Sequence, residues 1–69
     1  MQKFEYVFNS LPYNTDNVSR VTQVLEGCVS ANNSIQQHAS GCVHLVVYLP
    51  SLMDFLKLEA AFRSAGLRK

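Results

Sequence analysis

Sixty-nine residues make one domain, 1–69, close to the size at which a single core is only marginally stable alone. The 48% hydrophobic and 16% charged content excludes a disordered chain. A net charge of +1, with only Arg63, Arg68 and Lys69 gathered near one end, argues against a nucleic-acid groove, which needs several cations tracking phosphates.

The opening "MQKFEYVFN" has neither the apolar stretch nor the small-residue cleavage site of a secretory leader. No apolar run approaches the roughly 20 residues of a membrane helix. The expected setting is cytoplasmic, where Cys28 and Cys42 stay reduced. In "KFEYVFN", Phe4, Tyr6 and Phe8 alternate with Lys3, Glu5 and Val7, a period of two that predicts a strand. "SLPYNTD" reads as a loop in which Pro12 stops the strand and Asn14 or Thr15 caps a helix. Val18, Val21, Leu25 and Cys28 then fall on one helical face, and Gly27 is the expected stop.

Residues 28–38 admit two readings. Val29, Ala31, Asn33 and Ile35 form the inner face of a weak strand, or the first helix runs on to about His38. Asn32, Asn33 and Ser34 are poor helix formers, which favours the strand. "CVHLVVYL" is the firmest strand, ended by Pro50. Ser51 and Asp54 form a capping pair, Leu52, Phe55, Leu58, Phe62 and Ala65 make an apolar stripe, and Gly66 closes the second helix. The order β-α-β-β-α predicts a two-layer α+β sandwich of the split βαβ, ferredoxin-like kind, with both helices on one sheet face.

Four stretches carry a family likeness: "VFNSLPYNTD", "LEGCV", "VVYLP" and "LEAAFRSAGL". They resemble the strand-to-loop "GMxCxxC", the "L-x-G-V", the "V-x-Y-D-P" and the closing "L-x-x-A-I-x-x-A-G-Y" of the heavy-metal-associated domain family, small ferredoxin-like copper and mercury carriers. With Leu11 at the family's methionine, Tyr13 and Asp16 stand where its two metal-binding cysteines belong. Soft Cu(I) prefers thiolates, so no metal-binding residue and no cofactor is carried over. The family's fourth strand also has no counterpart after "AGLRK", which implies an antiparallel sheet truncated to three strands. The first strand, central in the family, would then be an edge with unpaired backbone groups.

Alternation places Cys42, His44, Val46 and Tyr48 on the open face of the third strand and Val43, Leu45, Val47 and Leu49 on the core face. Cys42 and His44 are the metal candidates. They supply two of the three or four donors that zinc or copper needs, with His38 a weak third in the turn. Cys28, at the start of the neighbouring strand, would lie at the far end of the hairpin near Tyr48. That separation also excludes a Cys28–Cys42 disulfide. A nucleophile and base could be built from Cys42 and His44, but neither an orienting carboxylate nor an oxyanion loop accompanies them, so no enzyme is expected. The open face, with Glu5, Val7, Ser30, Asn32, Ser34, His44, Val46 and Tyr48, offers single-stranded nucleic acid one stacking ring, Tyr48.

The expected function is therefore a small protein-interaction or regulatory module, a homodimer or a binder of another protein. Lys3, Glu5, Val7, His44, Val46 and Tyr48 are the interaction residues at the sheet edge or open face. Met53, Leu56 and Ala60 either join that exposed apolar area or belong to the core. The alternatives are a metal-binding domain using Cys42 and His44, or a single-stranded nucleic-acid binder.

Overall fold

A computed structural model describes residues 2–28 and 33–67. Over these, β1 (Gln2–Pro12), α1 (Thr15–Cys28), β2 (Asn33–Gln37), β3 (Cys42–Leu49) and α2 (Leu52–Ser64) follow in order. The strands form one antiparallel sheet in the order β1-β3-β2. The chain is thus an α+β domain with a three-stranded, ferredoxin-like sheet, and β1 lies at its edge. The expectations for Val29, Ser30, Ala31, Asn32, Arg68, Lys69 and the Cys28 side chain lie outside the described residues.

Alternation along β3 decides the layers. Val43, Leu45, Val47 and Leu49 are buried, and across the sheet Val43, Leu45 and Val47 face Phe8, Tyr6 and Phe4 of β1. On the other side Leu45 faces Ile35 of β2. Val21 and Leu25 of α1 and Leu58 and Phe62 of α2 close over this same face, so both helices cover it, and among the described residues no element covers the opposite face. An aromatic run ties α2 to β1. Phe55 stacks on Phe4 with centroids 4.5 Å apart, and Phe62 meets Phe8 edge-on at 4.9 Å.

β1 is longer than its alternation suggests. The strand does not end before the loop; it runs through Ser10 and Leu11 to Pro12, which pairs with Cys42. Phe8 already faces Val43, so Asn9, Ser10 and Leu11 are extra residues in an irregularity of the ladder. That insertion switches the inward parity from even to odd positions and buries Leu11. Asn14 caps α1, accepting the Asn17 N–H through Oδ1 at 2.9 Å. Asn17 is itself buried, and its Nδ2 donates to the Pro12 carbonyl at 2.8 Å. Asn17→Ala strips that carbonyl of its donor, and the urea-unfolding midpoint should fall by the equivalent of about 1–2 kcal/mol.

Gly27 does not stop α1, which continues to Cys28. Cys28 is therefore helical and does not begin the strand, which is described over Asn33–Gln37. One glycine costs a helix only about 1 kcal/mol relative to alanine, too little to terminate it without a cap motif. The weak-strand reading of the following segment stands for Asn33–Gln37. β2 and β3 are joined by a tight hairpin closed by Gly41 N–H to His38 O and His38 N–H to Cys42 O, both 2.8 Å. Gly41 takes φ +89 there, the left-handed position that such a turn reserves for glycine.

α2 has both ends capped. The Ser51 hydroxyl accepts the Asp54 N–H at 3.4 Å and donates to Asp54 Oδ2 at 2.9 Å. At the other end Gly66 (φ +76) donates to Arg63 O, Leu67 donates to Phe62 O, and the Leu67 side chain is buried, a complete Schellman arrangement. A Cβ at position 66 would meet no atom, so Gly66→Ala tests backbone conformation alone. Its unfolding free energy in urea should drop by about 1–2 kcal/mol.

The apolar stripe of α2 is narrower than expected. Leu58 and Phe62 are buried and Phe55 is half-buried, but Leu52 and Ala65 are exposed. Met53, Leu56 and Ala60, placed either in the core or on the surface by sequence, are all exposed.

Candidate protein-interaction surface

The bare sheet face is built in cross-strand rows. Lys3 faces Tyr48, Glu5 faces Val46 and then Ser34, and Val7 faces His44 and then Gln36. Cys42, His44, Val46 and Tyr48 all lie on this face, as alternation requires. Val46 is not the exposed apolar residue it was expected to be. It sits on the central strand between Glu5 and Ser34, and only 8% of it is exposed. Val7 is half-buried, which leaves Tyr48, 40% exposed, as the large apolar group of the face.

The polar groups of the face are engaged with one another. His44 Nε2 lies 3.3 Å from Glu5 Oε1, and the His38 ring meets His44 edge-on with centroids 5.7 Å apart. His38 Nδ1 lies 3.2 Å from the Ser40 N–H and 2.8 Å from the Ser40 hydroxyl. The half-buried Cys42 thiol donates to the Asn9 carbonyl at 3.5 Å. Thus Cys42 and His44 share a face, but each turns to a different partner on β1. Among the described residues no three His, Cys, Asp or Glu side chains group to hold a metal ion. Tyr13 and Asp16 are exposed on the loop and the first turn of α1, with the Tyr13 N–H tied to Gly41 O at 2.9 Å.

The second exposed region was only partly foreseen. Met53, Leu56 and Ala60 do not join the open face, because α2 packs on the opposite side of the sheet. With about 100° per residue, Leu58 and Phe62 point into the core, and Ala65 turns toward α1, lining a cleft with Arg20, Gln23 and Val24. Phe55 and Leu52 therefore rotate to the flank away from α1, and Leu56 turns farther out to solvent. Leu52 is 55% exposed, Met53 63% and Leu56 46%. Leu52 follows three residues after Leu49, which faces Gln2, so this apolar turn starts over the beginning of β1. Tyr48 lies at the same end, facing Lys3.

An edge strand with an apolar helical turn beside it can accept another strand, whose backbone pairs with β1 and whose inward side chains lie under the flank of α2. Among the described residues no helix is long and apolar enough to cross a membrane. No protein-family model, curated protein or solved structure matches the chain.

Proposed function

We propose that this chain is a non-enzymatic protein-interaction module that self-associates through its sheet edge. The observation that carries the reading is the position of β1, an outer strand packed under α2, whose N-terminal part exposes the large apolar Leu52, Met53 and Leu56. Edge strands are ordinarily blunted by charge, irregularity or cover. Here the irregularity lies beyond Phe8, and the first half of the strand is regular from Gln2 to Phe8. Exposed apolar surface next to a regular edge favours docking of protein. The open face supports the same function less well, because Val46 is already covered and His44 is paired with Glu5. A catalytic use of Cys42 and His44 is disfavoured by their separate partners, Asn9 O and Glu5.

Sedimentation equilibrium and native mass spectrometry over micromolar to submillimolar concentrations test the reading. The expected result is reversible formation of a species of twice the 7.7 kDa chain mass. Amide exchange in β1 should slow as concentration rises, while the exchange of β2, at the other edge, stays unchanged. A monomer throughout that range overturns it.

A further inference from the structure

Resting on that reading, we infer the register of the dimer: two β1 strands pair antiparallel about a twofold axis through Phe4, merging two three-stranded sheets into one of six. In an antiparallel self-pair, residue numbers facing each other have a constant sum, so the axis position fixes every contact. An axis through Phe4 sets Lys3 opposite Glu5 of the second copy, twice. An axis through Glu5 would set carboxylate against carboxylate, and one through Lys3 ammonium against ammonium; like charges facing each other destabilise a ladder. Lys3 and Glu5 are both exposed on the bare face, where the pairs would form.

The placement of the helices also bears on the axis. Phe55 sits on Phe4, and Phe62, two turns later, sits against Tyr6 and Phe8, so α2 runs along β1 from Phe4 toward Phe8. A twofold axis at Phe4 sends the two α2 helices in opposite directions from the junction. Their N-terminal parts meet at the junction, and these carry Leu52, Met53 and Leu56. An axis near Phe8 would instead lay the two α2 helices alongside each other over most of their length. On the inner face the Phe4 rings of the two copies become direct cross-strand neighbours, each backed by its own Phe55.

Charge reversal tests the register. Lys3→Glu and Glu5→Lys, made singly, each turn two attractive pairs into two repulsive ones, and the dimer dissociation constant should rise roughly tenfold or more in low salt. Combined in one chain, Lys3→Glu/Glu5→Lys restores opposite charges, and the dissociation constant should return to within about threefold of wild type. Recovery in the double variant is the decisive reading, since Glu5→Lys also removes the His44 partner and structural damage would persist in the combination. If wild type dimerises and the single reversals leave the constant unchanged, or the double variant stays weak, the Phe4 register is wrong while self-association stands. If wild type remains a monomer, the register and the functional reading fall together.

Discussion

Phe62→Ala should abolish cooperative folding of this domain at 37 °C. Phe62 has no exposed surface and stands where α2 meets β1, edge-on to Phe8 at 4.9 Å and tilted against Tyr6 at 5.9 Å. Removing a buried phenyl ring costs about 3–5 kcal/mol, from lost transfer energy and the remaining cavity. A chain of this length holds only roughly 3–10 kcal/mol of total stability at the usual per-residue range. Relaxation cannot refill the site cheaply, because the Phe62 carbonyl also accepts the Leu67 N–H that anchors the end of α2. Circular dichroism with urea titration should show a transition near zero denaturant, or none. A variant that loses less than about 1 kcal/mol of unfolding free energy would contradict a core role for Phe62. Leu56→Ala, made on the exposed flank of the same helix and measured in dilute monomer, should shift stability by less than about 0.5 kcal/mol.

The contrast between those two positions also shows where the sequence was readable. β3 alternates without interruption, so its two faces, and the placement of Cys42, His44, Val46 and Tyr48 on the bare one, follow from a period of two. Asn14, Ser51 and Gly66 act locally, through hydrogen bonds or φ angles within a few residues, and each could be assigned from its neighbours. Leu52 is different. Steps of three residues fall about 60° short of a full turn, so 52, 55 and 58 drift around the helix, and only packing shows which end of the drift leaves the core. Val46 is covered because it lies on the central strand, a position set by sheet order and not by its own segment. The passage of β1 through Pro12 depends on three unpaired residues facing β3, which no alternation rule anticipates. Local signals thus gave the elements and their faces. The surfaces available to a partner came from how the elements pack.

If the chain self-associates as proposed, Leu52→Glu/Leu56→Glu should convert the dimer into a stable monomer. Both leucines are exposed on α2, 55% and 46%, so their replacement leaves the Leu58 and Phe62 contacts intact. Glutamate is a good helix former, and at position 52 it adds negative charge to the first turn, where the helix dipole favours it. The folded monomer should therefore keep its urea midpoint in dilute solution. Across a twofold axis through Phe4 the same two positions occur four times, and burying the remaining surface of each leucine contributes about 1 kcal/mol. Losing that contribution and bringing like charges together should weaken dimerisation at least roughly a hundredfold, readable by sedimentation across a concentration series. Neither residue touches the bare sheet face, so association through that face would survive the double substitution unchanged. Persistence of the wild-type dimer in this variant, with its fold intact, would therefore remove the flank of α2 from the interface and shift the contact to the Tyr48 side of the sheet.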